Sequence, residues 1–236
     1  YKRQEVIKAL NIVKYFGKTR ILDNVSLEAH RGRIAVIMGP NGSGKSTLLK
    51  ILALLIPPDD GRLEIDDSPI DFDNELEKRS LQKKIAYLPQ RPPVLSASIF
   101  NNIYLPLRLR GASKEEAKKT TESILSMLRL KEYAKINAHR LSGGQKQLLA
   151  IGRTLALNPE ILLFDEPTAS LAPNTAEIVQ DIVKRYVKEK NCYAVIVSHS
   201  ITEAKKIADD LYVLVSGKIK ERFSGQISEE EILKWI

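Results

Sequence analysis

This chain contains the pattern G-x-x-x-x-G-K-[ST], formed by Gly39, Pro40, Asn41, Gly42, Ser43, Gly44, Lys45, Ser46 and Thr47. A short apolar stretch precedes the pattern at residues 33–38, and a helical pattern follows it at residues 45–55. Glycines allow the backbone to wrap a phosphate closely, and the N-terminus of the following helix attracts negative charge. We expect Lys45 to reach the β- and γ-phosphates of a nucleotide and Ser46 to ligate Mg²⁺. The pattern therefore predicts a nucleotide phosphate site between a strand and a helix.

A second apolar stretch, residues 161–164, ends in two carboxylates, Asp165 and Glu166. Because ligands of a parallel sheet bind beyond the C-terminal ends of its strands, we expect both acids beside the phosphate loop. Asp165 would hold Mg²⁺, directly or through water, and Glu166 would orient or deprotonate an attacking water. The alternative is a pair of solvated carboxylates at a strand exit, which the presence of the phosphate loop disfavours.

His199 follows a third apolar stretch, Tyr193–Val197, and should face the same crevice. Two interpretations remain open for it. It contacts the γ-phosphate as a sensor, or it is an ordinary polar residue at a strand end. His30 and His139 have no comparable placement, so we expect both at the surface.

The order of elements predicts an α/β fold. Buried strands alternate with helices near both ends of the chain, which favours a parallel sheet covered on both faces. Residues 91–157 contain only helical patterns, including a capping box of Ser113 and Glu116. We therefore predict one domain, 1–236, with a catalytic α/β core at 1–90 and 158–236 and a helical subdomain at 91–157.

Composition narrows the functional class. No apolar run approaches the ~18 residues of a membrane span, and Tyr1–Glu5 lacks the apolar stretch of a signal peptide. The single cysteine, Cys192, permits no internal disulfide and is expected to be a half-buried structural residue. The net charge of +8 comes from basic residues scattered among acidic ones, so we interpret it as solvated surface and expect no nucleic-acid partner.

The segment Leu141-Ser142-Gly143-Gly144-Gln145, which opens a helix, resembles the signature sequence of the ATP-binding-cassette (ABC) family. Other residues match that family's motifs in the family's order: Phe16 the aromatic that stacks on adenine, Gln90 the glutamine that joins two lobes and reaches Mg²⁺, and His199 the switch histidine. The resemblance covers essentially the whole chain. It implies a P-loop NTPase fold with a RecA-like core, an N-terminal antiparallel β-subdomain and an inserted α-helical subdomain, and ATP and Mg²⁺ as ligands.

The resemblance also explains a second anion site. Ser142, Gly143 and Gly144 open a helix whose free N–H groups favour negative charge, although the chain already has one phosphate loop. In the family, two copies pair head to tail, and each signature clamps the γ-phosphate held by the other copy. One departure concerns Ala172, where the family usually has an aspartate that accepts hydrogen bonds across the pair.

Three functions remain open at this point. The favoured one is the ATPase subunit of an importer, cytoplasmic and peripheral on the inner face of the membrane, bound to permease subunits and served by an external substrate-binding protein. The alternatives are an exporter or lipoprotein-release ATPase and a non-transport ATPase of the same family. Residues 91–102 would line the groove that receives the permease. A weak likeness to tungstate and molybdate importers lies at residues 52–58, and no further regulatory domain is expected after His199.

Overall fold

A computed structural model describes residues 5–225 and 228–235, which form two compact units. The first unit contains the residues up to Tyr87, Glu160–Glu166 and the residues from Gln180 onward, and the second contains Leu88–Pro159 and Pro167–Val179. The prediction that the N-terminus is not a signal peptide concerns residues 1–5. Of these, only Glu5 is among the described residues. None of the described helices combines the length and the apolar character that a bilayer crossing requires.

The first unit contains an antiparallel sheet with the strand order β2-β1-β4-β5. Its strands are β1 (Val6–Phe16), β2 (Thr19–His30), β4 (Asp60–Ile65) and β5 (Ser68–Pro69). The apolar patterns of residues 6–13 and 21–29 predict the first two strands, but the strands are longer than these patterns. They form one long hairpin, because pairing continues to Phe16 opposite Thr19 at the tip. The predicted N-terminal antiparallel β-subdomain is confirmed.

A six-stranded sheet with the order β10-β9-β3-β8-β7-β6 forms the rest of the first unit's framework. Its strands are β3 (Ile34–Met38), β6 (Ile85–Leu88), β7 (Ile161–Asp165), β8 (Tyr193–Val197), β9 (Asp210–Val215) and β10 (Lys218–Ser224). Strands β3, β7, β8 and β9 run parallel, and β10 returns antiparallel to β9. Every residue of β3, β7 and β8 is buried, as the continuous apolar runs predict.

Helices α1 (Lys45–Leu52), α2 (Glu75–Gln82), α7 (Ile201–Ile207) and α8 (Glu229–Leu233) complete the first unit. Leu48, Leu49 and Ile51 of α1 share a core with alternate residues of β3, β7 and β8 and with the antiparallel sheet. The sequence did not predict α2, because it contains only two apolar residues, Leu76 and Leu81, and neither is buried. The spacing of Ser228 and Glu231 predicts a capping box, but Ser228 makes no side-chain cap bond to α8, so this prediction is wrong.

The second unit is helical. It contains α3 (Ile99–Leu109), α4 (Lys114–Met127), α5 (Gly143–Ala156) and two short 3₁₀ helices, Lys131–Tyr133 and Ala138–Arg140. Helix α6 (Pro173–Lys190) begins in this unit and ends in the first. Proline disfavours a helix interior, so the sequence predicts an interruption at Pro106. This prediction is wrong, because α3 continues through Pro106 to Leu109. The capping box of Ser113 and Glu116 forms as predicted, with both hydrogen bonds present.

Candidate functional site

The glycine-rich segment forms a loop between β3 and α1. Gly39 has φ +149°, and a Cβ there would lie 1.9 Å from the carbonyl oxygen of Leu214. Gly44 caps α1 in the left-handed region, with φ +103°, and a Cβ there would meet the Leu22 side chain at 2.7 Å. Both positions therefore require glycine, the first for close packing on a neighbouring strand and the second for backbone conformation as well.

The loop presents polar groups inward. Ser43 Oγ is buried and has no hydrogen-bond partner among the described residues. Asn41 and Gly42 are exposed at the rim, and Ser46 and Thr47 open the helix behind the loop. An unpartnered buried hydroxyl is costly unless a ligand satisfies it, so the loop fits a bound anion.

Lys45 lies folded into this loop. Its ammonium donates hydrogen bonds to the carbonyl oxygens of Gly39, at 2.7 Å, and Pro40, at 2.9 Å. Burial lowers the pKa of Lys45, while the negative charges of Glu166 and Asp165 act in the opposite direction. The lysine is therefore held within the electrostatic reach of both predicted acids.

Asp165 and Glu166 end strand β7 at the same edge of the sheet. Burial raises the pKa of Asp165, and a hydrogen bond with Ser46 works against that rise. The backbone of Glu166 turns into the left-handed region, with φ +50°, and its amide donates to the carbonyl of Val197 at 3.0 Å. A left-handed backbone at a non-glycine residue costs about 1–2 kcal/mol of folding free energy. The rest of the fold compensates for this cost and fixes the position of the Glu166 carboxylate.

His199 is adjacent to Glu166. Its Nδ1 lies 3.3 Å from Glu166 Oε2, and its side chain is 57% exposed whereas that of Glu166 is 11% exposed. The structure thus brings together Lys45, Ser46, Asp165, Glu166 and His199 at the C-terminal ends of β3, β7 and β8. His139 is exposed as predicted, and His30 is half-buried rather than fully at the surface.

Two supporting residues were missed by the sequence reasoning. Ser198 is buried, donates its hydroxyl to Glu203 Oε2 at 2.5 Å, and accepts the amide of Ser200 at 3.1 Å. Ser200 in turn caps α7 by accepting the amide of Glu203 at 3.2 Å. These bonds fix the turn that carries His199. The signal was present, because Ser200 and Glu203 have the spacing of a capping box.

Phe16 is half exposed, at 54%, at the tip of the β1–β2 hairpin. The hairpin is tied to the phosphate loop by two backbone bonds, from the Asp23 amide to the Gly217 carbonyl at 2.8 Å and from the Gly217 amide to the Ser43 carbonyl at 3.1 Å. An exposed aromatic ring on a hairpin anchored to a phosphate loop is a suitable platform for a base.

The signature segment belongs to the second unit. Ser142 caps α5 by accepting the amide of Gln145 at 3.3 Å, and Gln145 Oε1 accepts the amide of Ser142 at 3.0 Å. Gly143 has open space around it, whereas a Cβ at Gly144 would lie 3.2 Å from the carbonyl of Ser170. The start of this 14-residue helix is thus closed by a capping box, and a helix start leaves its first amides without intrahelical partners.

Gln90 and Ala172 also belong to the second unit. Gln90 is exposed directly after β6, in the loop that leads to α3. Ala172 is exposed, and its carbonyl accepts the amides of Thr175 and Ala176 at the start of α6. Ala172 therefore occupies the capping position of that helix.

Cys192 is buried, with 1% of its surface exposed, more completely than the half-buried position predicted for it. Burial raises the pKa of its thiol to about 11. Cys192 directly precedes β8, and its buried thiol is a packing residue.

Comparison with known proteins identifies the family. A family model described as "ABC transporter" matches residues 22–169. The methionine import ATP-binding protein MetN of Francisella tularensis subsp. holarctica is 40% identical over 202 residues, covering 85% of this chain. The chain spans 58% of that relative's length. The tungstate uptake system ATP-binding protein TupC of Peptoclostridium acidaminophilum is 34% identical over 91% of this chain and 97% of the relative.

A solved structure shares the fold closely. The ATP-binding cassette MJ0796, in a dimeric post-hydrolysis state bound to ADP and Pi, aligns with a TM-score of 0.83 and 32% identity, over 92% of this chain and 98% of that one. The likeness includes both the mixed α/β part and the helical part, which confirms the predicted fold. Since the family model spans more than half of the sequence, this chain belongs to the ABC transporter family and has that family's ATP-binding cassette fold.

Proposed function

We propose that this chain is the ATP-hydrolysing subunit of an ABC importer, in which two copies pair to complete each nucleotide site. One observation carries the hydrolytic part of this proposal. Glu166 lies at the end of β7 in contact with His199, and its charge reaches the buried Lys45 of the phosphate loop. A carboxylate beside a phosphate-binding lysine is the arrangement that hydrolysis of a phosphoanhydride requires.

Binding of the triphosphate begins at the loop. Backbone amides of residues 41–47 and the Ser43 hydroxyl surround the phosphates, and Lys45 exchanges its bonds with Gly39 and Pro40 for bonds to the β- and γ-phosphates. This exchange costs little, because the lysine is already desolvated within the loop. Phe16 stacks on the adenine ring.

The donor set fits Mg²⁺. Ser46 and Asp165, which are hydrogen-bonded to each other, supply a hydroxyl and a carboxylate oxygen, the hard ligands that Mg²⁺ prefers. When bound, Mg²⁺ neutralises charge on the phosphate oxygens.

Glu166 then acts on water. Its carboxylate takes a proton from the water whose oxygen attacks the γ-phosphorus. The bond from the γ-phosphorus to the bridging oxygen breaks, its electron pair stays on ADP, and inorganic phosphate is the second product. His199 holds Glu166 by the 3.3 Å contact and faces the γ-phosphate with its exposed ring. The left-handed backbone of Glu166 fixes the direction of the carboxylate.

The second copy completes the site. The capped helix start at Ser142, Gly143, Gly144 and Gln145 is an anion site that its own phosphate loop does not require. We infer that it binds the γ-phosphate held by the other copy, in a head-to-tail pair that hydrolysis loosens. The dimeric state of the related cassette MJ0796 supports this arrangement.

Import is favoured by the relatives, since MetN is named for methionine import and TupC for tungstate uptake. The pair would act as a cytoplasmic ATPase, peripheral on the inner face of the membrane, bound to permease subunits through residues 91–102 and receiving substrate indirectly from an external binding protein. Residues 1–90 and 158–236 would provide catalysis and residues 91–157 the signature. The two relatives carry different cargoes, so the substrate class stays open.

Phosphate release from ATP tests this function. The wild-type chain should release phosphate with Mg²⁺ and stop when EDTA removes the metal. Its specific activity should rise with protein concentration, because each site needs a second copy. Lys45→Ala should abolish the release. Release that continues in Lys45→Ala, or a specific activity independent of protein concentration, would overturn the proposal.

A further inference from the structure

The segment that carries Phe16 extends beyond the sheet that supports it. On one side, β1 pairs with β2 up to the tip of the hairpin, where Phe16 is opposite Thr19. On the other side, its pairing with β4 ends at Val13 opposite Asp60. Residues 14–16 therefore have no strand on the β4 side, and an unsupported strand edge at a hairpin tip should be mobile.

Asp59, the residue before β4, bonds to this edge. Its Oδ2 accepts the backbone amide of Tyr15 at 2.6 Å, and its Oδ1 accepts the ammonium of Lys14 at 3.0 Å. Its own amide donates to the carbonyl of Val13 at 2.9 Å. The Asp59 side chain thus accepts the hydrogen bond that a further residue of β4 would have accepted. It extends the β1–β4 hydrogen-bond ladder by one step toward Phe16.

The charge of Asp59 strengthens this attachment. The amide of Tyr15 and then the ammonium of Lys14 lower the pKa of Asp59, as expected for a carboxylate that accepts two hydrogen bonds. Lys14 is itself buried, with 8% of its surface exposed. A buried ammonium needs a partner, so the pair fixes both side chains.

The β2 side of the hairpin is already secured. Arg20 pairs with Asp23 at 2.6 Å, Lys218 pairs with Asp23 at 3.0 Å, and the Asp23 amide bonds to Gly217 as described above. The guanidinium of Arg20 also lies over the Tyr15 ring, 5.8 Å from its centroid. On the β4 side, where residues 14–16 have no neighbouring strand, Asp59 thus holds these residues in place.

We propose that Asp59 is a positioning residue for adenine recognition, acting through the backbone of Tyr15 to hold Phe16 where the base stacks. This inference rests on the proposed role of Phe16. The phosphate loop has its own supports, so loss of Asp59 should weaken recognition of the base and leave recognition of phosphate unchanged.

The test compares ADP with pyrophosphate, two ligands that lack a γ-phosphate and so avoid pairing of the subunits. Calorimetry with Mg²⁺ gives both dissociation constants for the wild type and for Asp59→Ala, Asp59→Asn and Phe16→Ala. Asp67→Asn is the matched control, because it removes a similar ion pair, Lys8–Asp67 at 2.8 Å, from the same sheet. Melting temperatures report whether each variant is folded.

Loss of one base-stacking contact should weaken ADP binding about tenfold in Phe16→Ala. We expect about three- to fivefold for Asp59→Ala, less for Asp59→Asn because the amide oxygen still accepts the Tyr15 N–H, and no change for Asp67→Asn. Pyrophosphate affinity should stay constant in all four variants.

The outcomes separate the two ideas. If Phe16→Ala weakens ADP binding and a folded Asp59→Ala does not, the positioning role of Asp59 is wrong and adenine stacking stands. If Phe16→Ala leaves ADP binding unchanged, the proposed role of Phe16 is wrong, and the inference about Asp59 is overturned with it. If Asp59→Ala weakens ADP and pyrophosphate equally, Asp59 is a structural residue only.

Discussion

His199 Nδ1 lies 3.3 Å from Oε2 of Glu166. The two residues end neighbouring strands, β8 and β7, and the turn behind His199 is fixed by the buried bond between Ser198 and Glu203. The pair is therefore built by the core of the first unit. His199 is the exposed member of the pair, and Glu166 is the shielded carboxylate that we propose acts on the attacking water.

His199→Ala should lower turnover by about 10- to 100-fold, because Glu166 loses the contact that orients it toward water. Affinity for ADP should not change, since the phosphate loop is intact. A phosphate-release assay beside calorimetry measures both quantities. His139→Ala, at an exposed position of the second unit, is the control and should match the wild type. Equal turnover in His199→Ala would remove His199 from the catalytic arrangement.

Gly39→Ala should destabilise the first unit by about 3 kcal/mol, because the new Cβ would meet the Leu214 carbonyl at 1.9 Å and backbone would have to move. Urea denaturation measures this loss of unfolding free energy. Gly143→Ala is the control, since its Cβ would meet no atom within 4 Å. Similar stabilities for the two variants would show that the phosphate loop is not packed against β9.

Much of this arrangement was predictable from sequence. The apolar runs of β3, β7 and β8 are continuous, so the buried parallel sheet and the positions of Asp165, Glu166 and His199 follow from them. The exposed helix α2 was missed because it buries no side chain. The role of Asp59 was also missed, because it depends on where the β1–β4 ladder ends, and that register is set by tertiary pairing.

Cys192 should resist modification by thiol reagents in the folded protein. Its thiol is buried and its pKa is raised to about 11, so at pH 8 only about one thiol in a thousand is ionised, against about a quarter for a free cysteine. Ellman's reagent at pH 8 should react at least about 100-fold more slowly than with free cysteine, and rapidly in denaturant. Fast reaction in the native state would contradict the packing of β8.

Ala172→Asp should stabilise α6 by about 1 kcal/mol, because Ala172 occupies the capping position at the start of that helix, where Asp is a preferred residue and alanine is not. It should also tighten the ATP-dependent pair, since the family's aspartate bonds across it. Thermal unfolding and dimer dissociation constants measure the two effects separately. If the melting temperature rises and the dimer dissociation constant is unchanged, the effect of the substitution is limited to capping α6.

The nucleotide site completed by a second copy is tested most directly by light scattering on Glu166→Gln. This variant should keep ATP bound, because a general base contributes about 10²–10⁴-fold to turnover and little to binding. We expect the mass of this variant to double with Mg²⁺ and ATP and to stay that of a monomer with ADP. When Ser142→Arg is added to block the signature helix, the protein should stay monomeric even with ATP. A monomer in saturating ATP would contradict the account.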